Sequence, residues 1–188
     1  MHKSFFKIIL VLILSFFSIS VVRATTVCWD GKNLACDSQM TAGHRKLKCK
    51  TKFYRNEGRH AVLAAGGSVE AIEKVVHYWL SCTAPLSEAK LDIEINHMSP
   101  MATFALLVIS DDGKALAYED DLKSPITVEA PYAFGTGGDF ALAAMALGAS
   151  AAEAVKVAEE LDIYTGGTVH VIKAPQPETL KADSKKKS

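Results

Sequence analysis

A run of fifteen mostly apolar residues from Ile8 to Val22, preceded by Lys3 and Lys7 and followed by Arg23-Ala24, decides how much of this 188-residue chain is available to fold. A basic start, an apolar stretch of that length and small residues at Val22 and Ala24 are the marks of a secretory signal, with cleavage expected after Ala24. Removing 24 of the 188 residues leaves a mature chain of 164 that begins Thr25-Thr26-Val27. The less favoured option is a membrane anchor, because with Ser4 to Phe6 included the segment approaches the roughly 20 residues of a spanning helix. Export, periplasmic or to the outside, is the expectation.

Composition narrows the function classes. Lys plus Arg and Asp plus Glu are 21 each, and cleavage would remove Lys3, Lys7 and Arg23 but no acid, leaving 18 basic residues against 21 acidic. A neutral to mildly acidic chain lacks the basic footprint that nucleic acid or an anionic membrane would require. At 49% hydrophobic and 22% charged residues it is a globular chain with room for one domain, expected over residues 25–173, with a disordered basic tail over 174–188. Cys28, Cys36, Cys49 and Cys82 all follow the signal, so disulfides are permitted and three complete pairings are open; buried free thiols are the alternative. No Cys-x-x-Cys or paired Cys/His spacing suggests zinc, and the six histidines are scattered, so no metal or cofactor is expected.

Hydrophobic patterning supplies the element order. Thr25 to Trp29 and Asn33 to Cys36 flank Asp30-Gly31 as a hairpin, and residues 51–55 and 60–65 form a second strand pair around Glu57-Gly58. Val69, Ile72, Val75, Val76 and Trp79 recur at helical spacing over Ser68 to Trp79. Ala102 to Ser110 and Lys114 to Glu119 form a hairpin around Asp111-Asp112-Gly113, and Ile126 to Ala130 reads as a strand. Helices follow over Asp139–Leu147 and from Ser150 to about Asp162, the latter opened by a Ser150/Glu153 capping box; a strand over Thr168–Ile172 closes the fold. Residues 81–100 are ambiguous. Strands, helix, strands, two helices and a strand make an α+β chain, with two sheets packed between helical layers.

If Thr25 becomes the first residue, its hydroxyl is the nucleophile and its own α-amine, with an ordinary pKa of about 7.7–8.0, is the base. The surrounding motifs carry the same theme. Ala35-Cys36-Asp37-Ser38-Gln39-Met40-Thr41, Thr51-Lys52-Phe53, Ala65-Gly66-Gly67-Ser68, Gly135-Thr136-Gly137-Gly138-Asp139 and Leu161-Asp162-Ile163-Tyr164-Thr165-Gly166-Gly167-Thr168 follow Thr25-Thr26-Val27 in order. With these motifs the chain resembles the proteasome β-subunit and HslV peptidase family of N-terminal-nucleophile hydrolases over nearly all of its mature length, in a compact bacterial or phage-like form.

That resemblance implies a four-layer αββα sandwich and a threonine-type endopeptidase. It assigns Thr25 as nucleophile, Lys52 as the cation beside its hydroxyl, Asp37 as the group that orients Lys52, Gly66 with Gly67 as the oxyanion hole, and Thr136, Asp162 and Thr165 around the α-amine. Met40, Thr41, Lys50, Ala64 and Ser68 would line the substrate pocket. The substrate would be a peptide or unfolded protein, and the assembly a homo-oligomeric ring. An exported chain would not meet the ATP-driven unfoldases that feed cytosolic family members, which counts against such a partner.

Three departures from the family pattern stand out: the segment from Thr25 to Asp37 is short, Thr136 and Thr165 replace serines, and the signal is unusual. An even-numbered loss at the turn keeps strand facing, and threonine keeps the hydroxyl while narrowing the space. Read without the resemblance, Asp37 and Lys52 are an ordinary surface pair, the paired glycines only permit turns, Asp162 ends a helix and Thr165 begins a strand. Gly-x-Ser-x-Gly, His-Glu-x-x-His and phosphate-loop motifs are absent from the sequence. An amidase acting on a small amide and an unprocessed, non-catalytic structural subunit are the two alternatives.

Overall fold

The segments 61–67 and 104–110 are apolar at nearly every position, which a sheet with one wet face would not tolerate; such strands must be covered on both sides. The computed structural model describes residues 25–42, 45–59, 61–81, 86, 104–119 and 122–176, and it covers these strands in that way. The expected signal over 1–24, residues 177–188 of the expected tail, Cys82 and residues 87–100 lie outside the described residues.

The first sheet contains β1 (Thr26–Trp29), β2 (Asn33–Cys36), β10 (Tyr132–Gly135) and β11 (His170–Lys173) in the order β10-β1-β2-β11, all antiparallel. The second contains β5 (Phe53–Asn56), β6 (Ala61–Gly67), β7 (Phe104–Ser110), β8 (Ala115–Glu119) and β9 (Ile126–Thr127) in chain order, also antiparallel. A separate hairpin pairs β3 (Gln39–Ala42) with β4 (Arg45–Lys48). Among the described residues three α-helices accompany the sheets: α1 (Val69–Ser81), α2 (Gly138–Ala146) and α3 (Ala151–Leu161).

Side-chain alternation sorts the apolar residues into three cores. Val27, Trp29, Leu34 and Cys36 of the first sheet meet Val62, Ala64, Ala105 and Leu107 of the second. The intervening residues face outward: Leu63, Ala65, Phe104 and Leu106 pack with Ala71, Val75 and Trp79 of α1. On the far side of the first sheet, Cys28 and Ala35 pack with Ala141, Ala144, Ala154, Val155 and Ala158 of α2 and α3. The alanines keep the α2–α3 seam thin, so both helices reach β1. The expected capping box is formed: Glu153 N donates to Ser150 Oγ at 3.4 Å and Ser150 N to Glu153 Oε2 at 2.9 Å. Asp30 Oδ2 accepts the Ala151 N–H at 2.9 Å, tying that same helix start to the β1–β2 turn.

Three differences from the sequence reading have identifiable physical causes. β3 and β4 were not expected, because β4 is Arg-Lys-Leu-Lys with every residue exposed and so carries no alternation to detect. β10 is four residues behind Pro131, and its partner β1 lies more than 100 positions away in the chain. The strand expected over Ile126–Ala130 shrinks to Ile126–Thr127, an exposed edge pair that ends where pairing to β8 ends.

Phe104 is fully buried between β7 and α1. Replacing it with alanine is expected to cost about 3–5 kcal/mol, the range for emptying an aromatic site in a core that cannot collapse. Urea unfolding of Phe104→Ala against the parent measures it.

Candidate active site

Asp37 follows β2 directly, and its carboxylate is only 1% exposed. Four N–H groups from four parts of the chain converge on it. Oδ1 accepts from Thr26 N at 2.9 Å and from Lys52 Nζ at 2.5 Å; Oδ2 accepts from Gln39 N at 3.0 Å and Gly166 N at 3.2 Å. Lys52 is itself 6% exposed, so the ordinary surface-pair reading does not describe this pair. The backbone repeats the tie, since Asp37 N donates to Thr26 O at 3.2 Å and Ala65 N to Lys52 O at 3.0 Å. Lys52 is therefore oriented from β2 while its own backbone is held by β6.

Thr25 lies at the start of β1, pressed between two glycines. A Cβ on Gly66 would overlap Thr25 Cγ2, and a Cβ on Gly135 would overlap the Thr25 carbonyl. Gly135 also has φ +98°, a region only glycine enters without strain. Thr25, Lys52 and Gly66 line one cavity of about 180 Å³ together with Met40, Tyr54 and Glu73.

A second carboxylate organises the groups next to the Thr25 carbonyl. Thr136 Oγ1 and Thr165 Oγ1 each donate to Asp162 Oδ2 at 2.6 Å, and Tyr164 N donates to Oδ1 at 3.1 Å. Because Thr165 gives its one hydroxyl proton to Asp162, the 2.6 Å contact between Thr26 Oγ1 and Thr165 Oγ1 has Thr26 as donor. Thr136 Oγ1 lies 3.5 Å from the Thr25 carbonyl oxygen. These groups thus surround the Thr25–Thr26 peptide. A larger cavity, about 530 Å³, opens beside Asp162, Thr165 and Gly166 and is also lined by Lys46 and Lys48, but Thr25 is not among its lining residues.

Of the residues assigned to the pocket from sequence, Met40 lines the smaller cavity, whereas Thr41, Lys50, Ala64 and Ser68 are not among its described lining residues. Strand alternation accounts for this. Ala64 faces the core between the sheets, and its neighbour Ala65 takes the cavity wall. Lys50 is exposed, while Cys49 and Thr51 on either side line the wall. Ser68 stands between two lining residues, Gly67 and Val69, and its carbonyl accepts the Ile72 N–H as α1 begins. The sequence reading missed Thr26, Tyr54 and Glu73; helical spacing from Val69 placed Glu73 on α1 but could not show that β3 and β5 face it. Among the described residues no group of three His, Cys, Asp or Glu side chains is placed to hold a metal.

Cys28, Cys36 and Cys49 are free thiols. Burial, reinforced by Cys36 and the nearby Asp37 and Asp30, pushes Cys28 up to about 12; burial also pushes Cys36 up to about 12 against the opposing pull of Lys52. Both folded values exceed the ordinary thiol value of 9.0, so the unfolded chain ionises first. The stabilisation is complete below pH 9 and is lost between 9 and 12, at up to about 1.4 kcal/mol per pH unit per thiol. Denaturant midpoints measured across this window are expected to fall less steeply for Cys28→Ala. In the same assay at pH 7, Asp37→Ala is expected to cost about 3–5 kcal/mol, because Lys52 is left buried without its partner. Glu57→Ala, which breaks only an exposed pair with Arg55, is expected to leave the midpoint in place.

No family model matches the chain, and no curated protein matches it. Solved structures do. Thiobacillus denitrificans BPH superimposes with a TM-score of 0.59 at 17% identity, covering 80% of this chain and 97% of that one. The same protein in complex with epoxomicin gives 0.59 at 18% identity with the same coverage. Eukaryotic HslV from Trypanosoma brucei gives 0.55 at 23% identity, covering 79% and 97%. At such identities the likeness is one of fold: the chain has the α+β fold of these HslV- and proteasome-like structures.

Proposed function

We propose that this chain is a proteasome- and HslV-like threonine endopeptidase whose nucleophile, Thr25, is freed by cleavage after Ala24. The observation that carries the reading is that Thr25, Lys52 and Gly66 line one cavity while a single buried carboxylate, Asp37, holds both Lys52 and the Thr26 amide. A surface pair and a turn glycine would have no reason to meet there. The three cores described above are read as the seams of a four-layer αββα sandwich, with residues 25–173 as the single catalytic domain. Export and a homo-oligomeric ring belong to the same proposal.

In the proposed reaction the freed α-amine takes the proton from Thr25 Oγ1 as that oxygen attacks the peptide carbonyl. Lys52 places a positive charge beside the developing alkoxide, and Asp37 keeps the ammonium oriented. The N–H of Gly66, with Gly67 next to it, meets the oxyanion of the tetrahedral intermediate, an interaction whose loss costs about 2.7–4 kcal/mol in comparable sites. Collapse breaks the C–N bond: the leaving amine collects the proton held by the α-amine, and the acyl group stays on Thr25 as an ester. Water, deprotonated by the same amine, then releases the acid and restores the hydroxyl. Asp162, Thr136 and Thr165 surround the backbone next to that amine and would orient it for both transfers.

N-terminal sequencing of the matured protein is the first test, with Thr25 expected as the first residue. Matured protein is expected to cleave fluorogenic peptides and to be blocked by epoxomicin, the compound bound to the Thiobacillus protein. Thr25→Ala is expected to lower that activity by at least about a thousandfold. A chain that starts at any other residue, or a Thr25→Ala variant as active as the parent, would leave a non-catalytic subunit or another chemistry as the better account.

A further inference from the structure

The cavity beside Thr25 has a charge pattern that the proposed reaction does not use. Its two charged lining residues are Lys52 and, from α1, Glu73, among the described residues. Lys52 is matched by Asp37 at 2.5 Å. No described residue forms an ion pair with Glu73, so among the described residues the cavity carries one uncompensated negative charge. The rest of the wall is mainly apolar, from Met40, Ala65, Val69 and Ile72, with the ring of Tyr54 opposite α1.

Neighbouring charges do not reverse this balance. Lys50 is exposed and outside the lining, and Glu70, Lys74 and His77 on α1 do not line the cavity. Tyr54 supports the placement of the carboxylate. Its phenol is raised first by burial, then by Cys49 and Cys36, and Glu73 adds to the rise, as a carboxylate facing the ring across the cavity would.

With Thr25 and Gly66 in the wall, a carbonyl held by them for attack puts its own residue's side chain into this space. We infer that Glu73 sets the specificity of the site, selecting a lysine or arginine on the acyl side of the scissile bond. Such a side chain has an apolar stem that suits Met40, Val69 and Ile72 and a cationic tip that reaches the carboxylate. A glutamate side chain would meet like charge, and a leucine would leave the carboxylate facing apolar surface. The inference rests on the peptidase reading for its catalytic form, but the charge preference is a property of the cavity alone.

Two measurements separate the two claims. Matured protein is assayed on matched fluorogenic peptides carrying Lys, Arg, Leu or Glu before the cleaved bond, and Thr25→Ala protein is titrated with uncleaved versions of the same peptides. The expected kcat/KM ratio of Lys to Glu is about tenfold or more, shrinking as salt is raised because Glu73 is solvent-exposed. Glu73→Gln is expected to lower the Lys-to-Leu ratio about fivefold, and Glu73→Lys to turn the preference toward Glu. Glu70→Gln, on the same helix but outside the cavity, should leave the ratio unmoved. Cleavage or binding that does not distinguish Lys from Glu, or a ratio indifferent to Glu73, overturns the inference. Absence of cleavage together with tighter binding of the Lys peptide sinks the peptidase reading and keeps the cavity's selectivity.

Discussion

The Asp37 carboxylate joins parts of the chain that are otherwise far apart. Its four bonds take in β1 at Thr26, the β3 hairpin at Gln39, the α3–β11 connection at Gly166 and the residue before β5 at Lys52. Both sheets are thereby pinned at one end, where the inter-sheet core stops and polar chemistry begins. A buried ion pair alone is poor evidence of stability, because desolvation consumes most of the attraction. Here each carboxylate oxygen also accepts backbone N–H groups, so the burial is matched by bonds that orient every element meeting there.

The glycines near Thr25 follow from the same crowding. Gly66 admits the Thr25 methyl, Gly135 admits its carbonyl, and Gly137 lets Thr26 Oγ1 and Thr165 Oγ1 meet. Two strands and a helix start therefore close on Thr25 and Thr26 through residues that have no Cβ. The Asp162 cluster meets Thr25 at its carbonyl, through Thr136, and Lys52 meets it in a shared cavity.

Much of this was legible along the chain. The 3.6-residue spacing of Val69, Ile72, Val75 and Val76, the Ser150/Glu153 capping box and the Asp30-Gly31 turn are local features that the fold keeps. Pairings that depend on distant partners were not legible. β10 exists because β1 offers it a ladder, and β4 takes its place through its register with β3. The same limit explains the pocket residues. Family likeness pointed to Ala64, but which of Ala64 and Ala65 faces the cavity is set by the pairing of β6 with β5 and β7, and a shift of one residue exchanges the two faces.

By itself the amino-acid sequence determined the β1–β2, β5–β6 and β7–β8 strand pairs, the three described helices and the ordered set of Thr, Asp, Lys and Gly motifs, since each depends on residue type and near-neighbour spacing. Only the tertiary structure decided that Asp37 would be shared among four donors, that Thr26 would join the Asp162 network, and that Glu73 would face a cavity beside Thr25. Those outcomes depend on how sheets and helices settle against one another, where a change of a few ångströms separates a buried hydrogen bond from an unpaired group and no local sequence signal records the difference.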